Sequence, residues 1–225
     1  MPALLFDFGG TLDADGEPWL ERFRRLYAAH GVDLPEDRFR RAFYDADDRL
    51  AQRHRLPGLD LEATVVLQVR DALSAAAPRF IDRAPAIASD FCAESRRQFV
   101  RLKPALERLG RSFRLAVVSN FYGNLDGILS SEGLRGLFCF VADSGVLGVQ
   151  KPDPAIFLAA ARAAGCLPGD CVMIGDSAPR DVRGAAAAGM RAALVCAAEP
   201  APDAGQAWTI PSVSALEAVL AKAPS

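Results

Sequence analysis

A chain of 225 residues, 51% hydrophobic and 24% charged, can bury a core of its own as one large domain or as a domain carrying an insert. Its formal net charge of -2 gives no electrostatic footprint for nucleic acid or an anionic membrane, and no apolar run approaches the roughly 18 residues of a membrane span. The five cysteines form no CxxC pair and their odd number argues against a disulfide framework; with only His30 and His54 to draw on, a zinc site or a histidine triad has little material, and a cytoplasmic protein without a leader is expected.

The first predicted element is a strand over residues 3–8, "ALLFDF", which delivers Asp7 onto the glycine-rich turn of "LFDFGGTLD". From about 17 to 101 the pattern is helix after helix, punctuated by Gly31, Pro35, "LPG" at 56–58 and Pro78. Residues 19–55 hold nine arginines against seven acids, a mixture that reads as solvated helix faces. After this insert, near-continuous apolar runs return at 114–120, 137–143, 171–176 and 192–196, as expected of strands covered on both faces of a parallel sheet. Between them the pattern predicts helices at 103–111 (opened by Pro104), 124–132 (closed by Gly133), 153–164 and 179–189.

Alternation of this kind predicts an α/β fold with a doubly wound parallel-sheet core in 1–16 and 102–225, and an inserted helical bundle over 17–101. Ligands in such sheets sit beyond the carboxyl ends of the strands. The polar residues closing three of the runs are Asp7, Ser119 with Asn120, and Asp176. They converge on one edge. A fourth polar signal is Lys151 in "GVQKPDP", since only Lys103, Lys151 and Lys222 are lysines among 26 basic side chains. A chain so biased toward arginine has reason to place a compact ammonium there.

"FDFGGTLD", "VVSN", "KPDP" and "GDSAPRD" fall in the order and spacing of the four motifs of the haloacid dehalogenase-like hydrolases, which the chain resembles throughout its core. The helical insert resembles that family's cap in position and size. The resemblance implies a Rossmann-like fold and a phosphatase-type reaction on a small phosphorylated metabolite, with Asp7 as the nucleophile. It implies that Thr11, Ser119 and Asn120 hold phosphoryl oxygens, and that Lys151 neutralises Asp7 and the developing charge. It also implies a Mg²⁺ ion bound by Asp7, the carbonyl at Gly9 and Asp176, with Asp181 binding or orienting a water.

At Gly9 the chain departs from the commonest pattern, which has a second aspartate two residues after the nucleophile to protonate the leaving oxygen. Asp13 and Asp15 are possible substitutes, though both read as solvated loop acids, and Gly9→Asp is expected to raise turnover of alkyl phosphates. Phosphonate-cleaving members need a cap lysine, and no lysine precedes Lys103. The 2-haloacid dehalogenases lack the acidic fourth motif that this chain keeps as "GDSAPRD". A catalytically weak relative that binds a phosphorylated ligand or protein partner is the rival expectation. Arg24, Arg41, Tyr44 and Arg55 are candidates for specificity in the insert.

Overall fold

Strand β1 (Ala3–Phe6) is buried at every position and lies inside a six-stranded sheet. The other strands are β2 (Arg114–Ser119), β3 (Phe140–Asp143), β4 (Cys171–Gly175), β5 (Arg191–Val195) and β6 (Trp208–Ile210). The structure, a computed structural model, describes residues 1–197 and 201–221. Strand order is β3-β2-β1-β4-β5-β6 and every pair is parallel, with Ala3 level with both Arg114 and Cys171. The chain winds outward through β2 and β3, then crosses back to lay β4 on the other side of β1. That reversal puts the topological switch point between β1 and β4, where a doubly wound sheet opens a crevice at its carboxyl edge.

Side chains alternate across the sheet with period two, and both faces are dry. Leu4 and Phe6 join Val117 and Ile174 in the larger core, while Ala3 and Leu5 join Ala116, Val118 and Met173 in the smaller. The smaller core is roofed by the helices Pro154–Ala163 and Arg183–Ala187. Pro154 and the Asp153 side chain, which accepts from Ala155 N, start the first of these helices as the sequence leads one to expect.

The insert consists of α1 (Trp19–Ala29), α2 (Glu36–Arg53), α3 (Leu61–Ala76) and α4 (Ala84–Leu109). Its apolar faces merge with the larger core, which runs without a break from Val69 and Phe91 to Phe6. Two expectations are corrected here. The helices read as 84–101 and 103–111 are one helix, α4, with Pro104 in its interior. Proline there removes one backbone hydrogen bond at a cost of about 3 kcal/mol, and the carbonyl it frees belongs to Val100, a residue that is 75% exposed. Burial of Leu102, Ala105, Leu106 and Leu109 on the opposite face offsets that loss. The second correction is β6, which the sequence pattern did not announce because three residues at a sheet edge form no recognisable apolar run.

Candidate active site

Asp7 follows β1, Ser119 ends β2, and Asp176 follows β4, so adjacent parallel strands carry all three to the same edge. Oδ1 of Asp7 accepts three hydrogen bonds: from Phe8 N at 2.7 Å, Ser119 Oγ at 2.8 Å and Lys151 Nζ at 2.8 Å. Oδ2 receives none among the described residues, and Asp7 lines a cleft of about 270 Å³. One oxygen is clamped and the other is left unengaged.

Lys151 is 2% exposed and sits between two carboxylates, donating also to Asp181 Oδ1 at 2.7 Å. Burial alone would lower its ammonium, but Asp181 and Asp7 hold it above its ordinary value. Asp181 is tied down at both oxygens, because Oδ2 accepts from Ser177 N at 2.9 Å. One carboxylate oxygen from each of Asp7, Asp176 and Asp181 lies within 4.8 Å of the others, a set of hard donors that could hold a divalent cation. Crowding these acids has a price in protonation. Burial, together with the charges of Asp7 and Asp181, pushes Asp176 up to about 8. Burial also pushes Asp181 up to about 6, against the pull of Lys151.

The remaining expected site residues take supporting positions. Thr11 is fully buried and its hydroxyl donates to Asp176 Oδ1 at 3.2 Å, so it braces an acid and is not part of the cleft lining. Asn120 lines the cleft, yet its side chain clasps the lysine loop: Nδ2 donates to Lys151 O at 3.0 Å and Oδ1 accepts from Lys151 N at 2.7 Å. Gly10 has φ +83°, and a Cβ there would meet Asp176 Oδ2 at 2.5 Å. Only glycine allows that turn to pass the acid.

Asp13 is not a solvated loop acid. It is 1% exposed and knots the turn: Oδ1 accepts from Gly10 N at 2.7 Å, while Oδ2 accepts from Trp19 Nε1 at 2.8 Å and Arg22 Nη1 at 3.0 Å. Both oxygens are committed away from the cleft, and burial raises its carboxyl above the ordinary range. Arg22, drawn from a segment read as solvated helix faces, is 1% exposed and spends its donors on Asp13, Glu94, Ser95 and the Phe91 carbonyl. Asp15 lies apart, accepting from Val213 N at 2.6 Å.

Trp19 explains the glycine at position 9. Gly9 has φ −71° and ψ 124°, which any residue adopts, so glycine is not needed there for conformation. A Cβ would meet Trp19 Nε1 at 3.1 Å and Cε2 at 3.2 Å. The indole therefore covers the place from which a second aspartate would project.

Helix α2 supplies the wall facing the strand ends. Of the four specificity candidates only Tyr44 lines the cleft; Arg24 and Arg41 pair with Glu36 and Asp37 at the surface, and Arg55 is exposed. Sequence reasoning missed Asp47, Tyr122 and Arg180, which line it too. Asp47 had a signal, since it stands one turn after Phe43 on the apolar face of its helix.

The haloacid dehalogenase-like hydrolase family matches residues 1–189 of the chain. Haloacid dehalogenase-like hydrolase domain-containing protein 3 of Bos taurus is 48% identical over 90 residues, which are 40% of this chain and 36% of that protein. The match thus spans little more than a third of that relative's length. A phosphoserine phosphatase of Thermus thermophilus is 35% identical over 165 residues, 68% of this chain and 64% of that protein. Among solved structures, a 2-haloacid dehalogenase from Pseudomonas syringae is 28% identical and covers 99% of both chains with a TM-score of 0.57.

Proposed function

The chain belongs to the haloacid dehalogenase-like hydrolase family, and from that premise we propose that it is a Mg²⁺-dependent phosphatase acting on a small phosphorylated metabolite through a covalent intermediate on Asp7. The observation that carries this reading is the asymmetry of the Asp7 carboxylate, one oxygen held by three donors and the other without a donor. Similarity to proteins described as phosphoserine phosphatase and glyceraldehyde 3-phosphate phosphatase supports phosphate monoesters of small metabolites as the substrate class.

In this reading a carboxylate oxygen of Asp7 attacks phosphorus, the phosphorus–oxygen bond to the leaving alcohol breaks, and water later hydrolyses the aspartyl-phosphate. Lys151 holds Asp7 in position and offsets charge growing on the phosphoryl oxygens, with Asp181 keeping the ammonium in place. Asn120 fixes the backbone that carries Lys151. Asp7, Asp176, Asp181 and the Gly9 carbonyl would hold the metal, which supplies charge neutralisation at the phosphoryl group when bound. The insert, residues 17–101, caps the cleft and shapes specificity. Gly9 offers the leaving oxygen no proton, so departing groups that need little help are favoured.

Chelation should silence turnover of p-nitrophenyl phosphate and Mg²⁺ should restore it. Full turnover in chelator would overturn the metal dependence, whereas chelator-resistant chloride release from a 2-chloroacid with no phosphate turnover would support the 2-haloacid dehalogenase reading suggested by the Pseudomonas syringae neighbour. The raised carboxyls add a pH signature. Folded Asp176 and Asp181 keep protons that the unfolded chain gives up near pH 4. Their stabilising contribution is thus complete below that pH and is lost as pH rises through about 6 and then about 8. A cation bound by the same carboxylates offsets this loss. The rise in Tm produced by Mg²⁺ should therefore be larger near pH 8 than near pH 5, and an equal or smaller rise near pH 8 contradicts the assignment.

A further inference from the structure

The half of the cleft away from the strand ends holds a carboxylate that the reaction above does not use. Asp47, on α2, lines the cleft beside Trp19, Phe43, Tyr44, Phe121 and Tyr122. Both of its hydrogen bonds fall on one oxygen: Gln68 Nε2 donates to Oδ1 at 2.9 Å, and the Tyr122 hydroxyl donates to the same atom. Among the described residues Oδ2 accepts from nothing and no cation lies within ion-pairing distance of Asp47. Arg180, which shares the cleft, forms no ion pair with it and acts on it only through space.

A carboxylate beside aromatic rings and without a close ion-pair partner is costly to maintain. Burial raises its carboxyl, so the site is under electrostatic tension that a positive charge would relieve. The rings add their own preference. Their faces attract cations, and alkylated ammonium groups most of all when water is excluded. Tyr122 and Phe121 stand with ring centroids 4.6 Å apart beside Asp47, and Trp19 meets Phe121 edge-on at 6.0 Å. The phosphate end of the same cleft already has Lys151 and Ser119.

We propose that the substrate is a small phosphate monoester carrying an ammonium group, with Asp47 and the surrounding rings as its cation subsite. This rests on the phosphatase reading above and names the substrate class for that site. Leaving-group chemistry points the same way. An ammonium close to the ester oxygen withdraws electron density and makes the departing alkoxide less basic. That reduces the need for a general acid at the position where this chain has Gly9.

The test compares phosphocholine with neohexyl phosphate, its neutral isostere in which carbon replaces nitrogen. Calorimetric titration uses full-length Asp7→Asn protein with Mg²⁺, so that neither compound is consumed. Phosphocholine should bind about tenfold or more tightly than neohexyl phosphate, the scale of a desolvated cation contact. Adding Asp47→Asn, which keeps an oxygen for Tyr122 and Gln68 to donate to, should collapse that ratio to within about twofold. A ratio read on one fold is insensitive to general loosening of the cap. Equal affinities, a ratio that survives Asp47→Asn, or binding of neither compound overturns the inference. Turnover of p-nitrophenyl phosphate by the unaltered protein is measured alongside. Absence of that turnover with the phosphocholine preference intact removes the hydrolase reading alone; turnover without the preference removes the ammonium alone.

Discussion

Asp7→Asn protein should fold normally, melt close to the unaltered protein and hydrolyse p-nitrophenyl phosphate slower by roughly 10⁴-fold or more, the scale on which removal of a covalent nucleophile acts. The asparagine carbonyl can keep the three donors now on Oδ1, from Phe8 N, Ser119 Oγ and Lys151 Nζ. What changes is the unengaged atom, where an amide nitrogen replaces a carboxylate oxygen. It neither attacks phosphorus nor binds a hard cation. Lys151 retains Asp181 as counter-ion, so the buried ammonium is not orphaned. A variant that folds and still turns over at near the original rate, with deamidation excluded by mass spectrometry, removes Asp7 from the chemistry.

Gly9→Asp should lose activity on every phosphate ester and lower Tm, the reverse of what the missing aspartate suggests from sequence. The new Cβ would stand 3.1 Å from Trp19 Nε1, and the carboxylate would have to pass the indole. Trp19 is held on several sides, although its ring also borders the cleft. Its Nε1 is bonded to Asp13, and its ring packs edge-on against Phe91 at 5.0 Å, Phe23 at 5.9 Å and Phe121 at 6.0 Å. Overpacking of this kind costs about 1–3 kcal/mol, and losing the indole's hydrogen bond to Asp13 adds about 0.5–1.5. For a chain of this size that total corresponds to a drop in Tm of roughly 3–18 °C. Displacing Trp19 also removes one of the donors that fix Asp13, the acid that with Gly10 and Arg22 knots the turn carrying Asp7. Gly9→Ala should show part of the stability loss. Trp19→Ala in the Gly9→Asp background should recover part of the activity by opening room for the acid. A gain on alkyl phosphates in Gly9→Asp with Tm unchanged would mean that the indole yields, and this explanation of Gly9 would be wrong.

The sequence made the strand ends legible and hid what braces them. Near-continuous apolar runs and four short motifs were enough to bring Asp7, Ser119, Lys151, Asp176 and Asp181 together, because a parallel sheet maps strand ends to one edge. Asp13 and Arg22 were misread for a different reason. Their burial is decided by contacts between a turn, the start of α1 and the Phe91–Ser95 stretch of α4, some 70 to 80 residues away in sequence. No local pattern encodes that pairing. Arg22 does lie three residues after Trp19 and four before Leu26, on the apolar face of its helix, so its phase was a usable clue. Pro104 misled through a rule that is sound for isolated helices and is outweighed when the stripe around it is buried at both ends.

The central claim is that Asp7 becomes phosphorylated during turnover. With no side chain at Gly9 to activate water, breakdown of the aspartyl-phosphate should lag behind its formation, so the intermediate should accumulate. Acid-quenching the protein during steady-state hydrolysis of p-nitrophenyl phosphate with Mg²⁺, followed by peptide mass spectrometry, measures this directly. The predicted result is one added phosphoryl group on Asp7, absent without substrate, absent in chelator and absent in Asp7→Asn. Hydrolysis that proceeds with Asp7 unmodified throughout, or with the phosphoryl group on another residue, would contradict it.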